Sequence, residues 1–252
     1  MTDPSDAPPA SPDTGPAPPS DRTTITLIRH GESEVTVDRI IGGKRTCRGL
    51  SPLGRTQAEH LRDRLSRDGV TDVDALIASD FPRAIETADI IRPVFAEAGA
   101  PHPVEQWSDL GEHDPGPEID GMSFEAYVER YGTPNWSGDP DVEIFPGGET
   151  VRRFHERVLR GLTTLLEEFA GRHVVVVCHG GVVDAAFRIL LDLPRTAAFE
   201  LHTLNTALTT FSGPAARSSD EASDGAESLW RLARYNDTAH LAGLPDATPR
   251  RT

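Results

Sequence analysis

The run Val174-Val175-Val176-Val177-Cys178 constrains the fold more than any other stretch of this chain. Consecutive β-branched apolar residues without polar alternation describe a strand buried on both faces, and such a strand needs a covering layer on each side. A second β-branched run at 24–28 ends at a turn and reads as its companion. Helical spacing fills the rest of the pattern. Residues 51–67 put Leu53, Ala58, Leu61 and Leu65 on one side, with Ser51 as N-cap and Pro52 at the first helical position. The segments 81–98, 148–171 and 182–191 repeat that amphipathic spacing, and 74–78, 207–211 and 229–235 have strand character. Strands alternating with helices predict a three-layer α/β/α sandwich with a mostly parallel central sheet. In such a fold the ligand crevice lies beyond the carboxyl ends of the strands.

Residues 1–22 hold seven prolines among Asp, Ser and Ala and lack both a basic start and an apolar segment. They read as a disordered leader without the makings of an export signal. The remainder predicts one domain over 23–245, with a Gly/Ser/Asp/Ala excursion at 213–228 and a short tail at 246–252. Within the domain, 107–147 is irregular and rich in Gly, Pro, Asp and aromatics, with one helical piece near 123–131. An irregular segment of this length inside a domain points to a cap over the site. Its Trp107, Tyr127, Tyr131, Trp136 and Phe145 suit either a pocket lining or the packing of the cap itself.

A formal charge of −15 repels nucleic acid and anionic lipid surfaces, so neither is an expected partner. The longest apolar runs fall far short of the roughly 20 residues that cross a bilayer. Two cysteines, Cys47 and Cys178, make neither a disulfide scaffold nor a Cys-x-x-Cys site, which points to a reducing, cytoplasmic setting. The pattern sets no oligomeric state.

Chemistry concentrates at two strand ends. Arg29-His30-Gly31-Glu32 follows the first strand and His179-Gly180-Gly181 follows the long apolar one. If these strands are neighbours, both imidazoles project into one crevice, and Arg29 adds a planar donor fork suited to phosphate oxygens. The combination describes an anion site.

These residues belong to a longer ordered set: Leu50-Ser51-Pro52-Leu53-Gly54 with Gln57-Ala58; Ser79-Asp80 with Arg83-Ala84 and Thr87-Ala88; Leu110 with Glu112; and Pro146-Gly147-Gly148-Glu149-Thr150. With the two strand-end motifs, the set resembles the histidine phosphatase superfamily, the phosphoglycerate mutase-like proteins, over residues 24–241. The resemblance implies that His30 is phosphorylated, that Arg29, Arg83 and His179 hold the phosphoryl group, and that Glu112 is the proton donor. It also implies that Gly31, Thr36, Gly42 and Gly180 border the bound group. Asp109, His113, Asp114 and Glu118 stand close to Glu112 in sequence and leave the identity of the acid open. Thr36 and Gly42-Gly43 depart from the Asn and Gln-Gly of many relatives. The loop cations Lys44, Arg45 and Arg48 either bind a second acidic group or simply face solvent.

Segment 112–118 is acidic, whereas mutase relatives are basic there, so the resemblance points to the phosphatase branch. The implied function is hydrolysis of a small soluble phosphorylated metabolite through phosphohistidine, with no cofactor and no metal. Two alternatives remain: mutase-type phosphoryl transfer, and a catalytically silent binding module on the same fold. A P-loop at Gly42-Gly43-Lys44 is excluded, because Arg45 replaces the required Ser or Thr.

Overall fold

A computed structural model of the chain describes residues 20–244 apart from 71, 98–99, 102, 197–198, 200 and 216–228. The elements run β1 (Arg22–Arg29), α1 (Glu34–Val37), α2 (Pro52–Arg67), β2 (Ala75–Ser79), α3 (Pro82–Ile91), β3 (Ala96–Glu97), β4 (Ala100–Pro101) and β5 (Val104–Trp107). They continue with α4 (Phe124–Tyr131), α5 (Val151–Glu168), β6 (His173–Cys178), α6 (Gly180–Leu190), β7 (Leu208–Pro214) and β8 (Arg231–Asp237).

The main sheet has the order β5-β2-β6-β1-β7-β8. Its first four strands are parallel, β7 joins β1 antiparallel, and β8 joins β7 antiparallel. The apolar run of β6 therefore sits between β2 and β1, as its unbroken hydrophobicity requires. Val174, Val176 and Cys178 face Phe154, Val158, Leu162 and Leu165 of α5 and Val182, Val183 and Ala186 of α6. Val175 and Val177 face the opposite layer, where Leu61 and Leu65 of α2 meet Ala84, Ala88 and Ile91 of α3. Three layers result, and the sheet is mostly parallel.

Local chemistry accounts for the helix boundaries. Ser51 caps α2, its hydroxyl accepting the Gly54 N–H at 3.0 Å, and Pro52 occupies the first turn. Helix α5 is capped by Thr150 in the same way. The expected helix over 81–98 is shorter than its periodicity implies. It ends at Ile91 and gives way to a 3₁₀ turn at Arg92–Val94 because Pro93 cannot donate to the ladder. Strand β5 was not among the expected elements, since a four-residue edge strand carries little hydrophobic signal.

At the amino end, the leader expected over 1–22 already meets the fold at its last residues. The Ser20 N–H bonds to the Gly171 carbonyl at 2.8 Å, and Arg22 opens β1. The rest of the leader and the 246–252 tail lie outside the described residues. Most of the expected 213–228 excursion does too, although Gly213 and Pro214 end β7.

The loop after β1 packs against the start of α2 with no space between the backbones. A Cβ on Gly31 would stand 2.5 Å from the Gly54 carbonyl oxygen, and one on Gly54 would stand 2.0 Å from that of Glu32. Glycine is required on both sides of this contact. Residues 107–147 fold around a small core in which Ile119, Tyr127, Ile144 and Phe145 are buried with Val151 of α5.

Ile77 is fully buried in β2, so Ile77→Ala leaves a cavity and is expected to lower unfolding stability by about 2–5 kcal/mol in urea titrations. Val142→Ala, at a position 60% exposed, is expected to change it by less than about 0.5 kcal/mol.

Candidate active site

Because β1 and β6 are parallel neighbours with Arg29 opposite Cys178, the residues that follow them emerge side by side. His30 and His179 meet edge to face, with ring centroids 5.0 Å apart, and both are buried. Arg83, in the first turn of α3, completes the cluster: its Nε donates to His30 Nε2 at 3.0 Å. Phe81 supports both neighbours. Its ring lies edge-on to His179 at 4.8 Å and under the Arg83 guanidinium at 4.7 Å.

The tautomer of His30 follows from these contacts. Nδ1 lies 2.6 Å from the Gly31 carbonyl, which only accepts, so Nδ1 carries the proton. Nε2 then holds the lone pair that takes the Arg83 bond. Burial, and next the positive charges of Arg83 and Arg29, push the His30 imidazole well below its usual pKa and keep it neutral. His179 is depressed for the same reasons, burial first and Arg83 second.

The backbone under His30 is held from three directions. Its N–H bonds to the Cys178 carbonyl at 2.9 Å, its carbonyl accepts Asn205 Nδ2 at 2.9 Å, and the next N–H, of Gly31, bonds to Thr87 Oγ1 at 3.1 Å. Gln57 Oε1 accepts the Glu32 N–H at 2.8 Å, and Ser51 donates to Glu32 Oε1 at 2.7 Å.

Glu112 comes from the 107–147 segment. Its Oε2 accepts the N–H of Gly181 at 3.3 Å, at the start of α6, and its Oε1 accepts the N–H of His113 at 3.0 Å. A Cβ on Gly181 would stand 2.3 Å from Glu112 Oε1, so the double glycine leaves room for this carboxyl group. Arg157 of α5 fixes the segment. It donates to the carbonyls of Asp109, Gly111 and Glu112 and forms a two-point ion pair with Glu149.

The other acidic side chains of the segment have different partners: Asp109 pairs with Arg160, and Asp114 accepts the Gly116 N–H. Trp136 and Phe145 pack edge-on to His113, and Trp107 packs against the main core. Tyr127 and Tyr131 line a separate cleft of about 420 Å³ within the 107–147 segment, with Asn135, Asp139 and Val142. Of the five aromatics, these two border a cleft, while Trp107, Trp136 and Phe145 pack the structure.

Of the residues expected at the site, Arg83 and His179 are thus both in contact with His30. Arg29 bonds to the Thr203 carbonyl and lies against the start of α6, where a Cβ on Gly180 would stand 3.7 Å from its Nε. Gly42 touches the cluster through its carbonyl, 3.4 Å from Arg83 Nη1. Thr36 has a different partner: its hydroxyl bonds to that of Ser33 at 2.9 Å. Lys44 pairs with Asp80, Arg45 with Asp120, and Arg48 with Glu34 and Asp38. Among the described residues, no group of three or more His, Cys, Asp or Glu side chains is placed to hold a metal ion.

The histidine phosphatase superfamily (branch 1) family model matches residues 25–218, a span that contains every residue of this cluster. The chain belongs to the histidine phosphatase superfamily. It is 29% identical over 226 residues to phosphoglycerate mutase-like protein 4 of Arabidopsis thaliana, covering 88% of each chain. It is 28% identical over 228 residues to phosphatase PhoE of Bacillus subtilis, covering 88% of this chain and 98% of that one. Its fold overlays the solved structure of a mycobacterial glucosyl-3-phosphoglycerate phosphatase with a TM-score of 0.67 and 25% identity, over 85% of this chain and 99% of that one. Membership of this superfamily makes the protein an enzyme of the phosphatase kind.

Several supports of this histidine phosphatase site were not anticipated from the sequence. Asn205 and Thr206 stand in a polar stretch before β7, and only tertiary contact reveals that Asn205 holds the His30 carbonyl and Thr206 N–H that of Arg29, at 2.8 Å. The left-handed backbone of Thr206, at φ 55°, leaves no mark in the residue type. Arg157 lies on the polar side of the α5 pattern, where a solvated charge is the ordinary expectation.

The depressed pKa has a direct consequence. As pH falls through 6.5, the value of an unperturbed imidazole, His30 is expected to stay neutral and to titrate only at lower pH. NMR titration of its ring resonances checks this; a midpoint at or above 6.5 would contradict it.

Proposed function

We propose that the protein is a phosphomonoesterase that hydrolyses a small phosphorylated metabolite through a phosphohistidine at His30. The observation that carries this reading is the state of His30: neutral, with its proton held on Nδ1 by Gly31 and its Nε2 lone pair turned to the Arg83 guanidinium. Nε2 is a ready nucleophile once a phosphoryl group takes over the Arg83 donors. Phosphoryl transfer spreads negative charge over three oxygens, and Arg83, Arg29 and His179 supply donors and charge for them. Gly31 serves the site through its close contact with Gly54, and Gly180 keeps the start of α6 small beside the Arg29 guanidinium.

In the first step Nε2 attacks phosphorus and the ester P–O bond breaks. The leaving oxygen takes a proton from Glu112, whose resulting carboxylate keeps the N–H bonds of Gly181 and His113. In the second step Glu112 removes a proton from water, the hydroxide attacks phosphorus and the P–N bond breaks. Inorganic phosphate leaves and His30 is again neutral. Neither step calls for a metal or a cofactor.

Hydrolysis is favoured over mutase transfer by the acidic 112–118 segment. The two unpaired, buried cysteines suit a reducing cytoplasm, and the charge of −15 disfavours nucleic-acid and anionic-membrane partners.

Phosphate release from para-nitrophenyl phosphate and a panel of metabolite phosphates, with EDTA present, tests the proposal. The wild type is expected to be active, His30→Ala to lose at least about 10³-fold in kcat, and Glu112→Gln to be impaired most on substrates with poor leaving groups, by about 10²-fold or more. Interconversion of phosphoglycerates without phosphate release would favour the mutase reading. Neither activity would favour a binding module, and loss of hydrolysis with EDTA would overturn the metal-free mechanism.

A further inference from the structure

Ser79, the last residue of β2, is fully buried, and its hydroxyl takes part in two hydrogen bonds. It accepts the Phe81 N–H at 3.3 Å and lies 2.8 Å from His179 Nε2. A serine hydroxyl has one proton to give and two lone pairs to offer. If it accepted from a protonated Nε2 as well, it would be an acceptor twice over, and its own proton would be left in a buried site with no partner among the contacts described. If instead it donates to a bare Nε2, both the hydroxyl proton and the Phe81 N–H are satisfied. Buried polar groups adopt the arrangement that leaves the fewest unpaired.

The second arrangement fixes the proton of neutral His179 on Nδ1. That atom is buried and has no hydrogen-bond partner among the described residues. It belongs to a ring 5.0 Å from the ring of His30. An unpaired N–H in that ring is a vacant donor, whereas a bare Nδ1 would present a lone pair and repel a phosphoryl oxygen.

We propose that Ser79 is a positioning residue: it locks His179 in the Nδ1–H tautomer, so that this second histidine donates to the phosphoryl group transferred at His30. The inference rests on the reading of His30 as the phosphoryl acceptor. Phe81 takes part as well, because its N–H occupies a Ser79 lone pair and so directs the hydroxyl proton toward His179. Asp80, between them, holds Lys44 at the surface and has no part in this chain of bonds.

Long-range ¹H–¹⁵N NMR of the full chain labelled with ¹⁵N-histidine tests the tautomer without reference to activity, the His179 signals being assigned by their loss in His179→Gln. The wild type is expected to show Nδ1 protonated and Nε2 bare. In Ser79→Ala the proton is expected to move wholly or partly to Nε2. Calorimetric affinity for vanadate and kcat on para-nitrophenyl phosphate are each expected to fall by about tenfold to a hundredfold, while KM changes less. Ser79→Thr, which restores the hydroxyl, is expected to restore the wild-type tautomer and most of the vanadate affinity.

A protonated Nε2 in the wild type would overturn the proposal. So would a Ser79→Ala protein whose His179 tautomer is unchanged, or one whose tautomer shifts without loss of vanadate affinity and kcat. A wild type that shows the Nδ1–H tautomer and binds vanadate but releases no phosphate would count against hydrolysis while leaving the role of Ser79 standing.

Discussion

The parallel pairing of β1 with β6 governs the arrangement of everything else. Six Cα partners, from Thr24 with His173 to Arg29 with Cys178, bring two strands far apart in the sequence side by side at the centre of the sheet. Parallel strands end together, so His30 and His179 leave the sheet as neighbours. The pair is held by burial on both faces: α5 and α6 cover one, α2 and α3 the other. A one-residue slip would turn every side chain of β6 to the wrong layer, which is why the register is well specified.

That constraint also sets the electrostatics. Residues at the end of a central strand lie beneath helices on both sides and are largely removed from water. His30 and His179 are therefore held neutral by burial before any neighbouring charge is considered, and the arginines push in the same direction. In the proposed reaction this neutral imidazole, with its Nδ1 proton committed to a carbonyl, is the nucleophile, and the guanidinium at its Nε2 stands where phosphoryl oxygens would bind. The same cations that would bind that anion also keep the nitrogen unprotonated.

Around this centre, the supporting contacts come from every part of the chain. Thr87 and Gln57 hold the loop after β1 from the α2–α3 layer, Asn205 and Thr206 hold it from the approach to β7, and Arg157 fixes Glu112 from α5. The 107–147 segment carries Glu112 and packs on aromatic side chains, with His113 between Trp136 and Phe145. His30 and Glu112 are thus each anchored by hydrogen bonds to their backbone.

The amino-acid sequence by itself determined the layers and the strand ends. The unbroken apolar β6, the capped amphipathic α2 and the glycine-flanked histidines are statements about burial, helix initiation and close backbone approach that any compact fold of this chain must satisfy. Periodicity carried that information because it repeats over many residues. It failed where the signal was short or overridden: β5 is a brief edge strand, and Pro93 ended α3 before its pattern did. Only the tertiary structure decided which nitrogen of His30 is bare, that Glu112 rather than Asp109 or Asp114 bonds to α6, and that Thr36 turns to Ser33. It also decided that Ser79, Asn205 and Arg157 support the site. These are matters of single hydrogen bonds between residues far apart in the chain. Their outcome depends on distances of a few tenths of an ångström, which residue type and spacing do not encode.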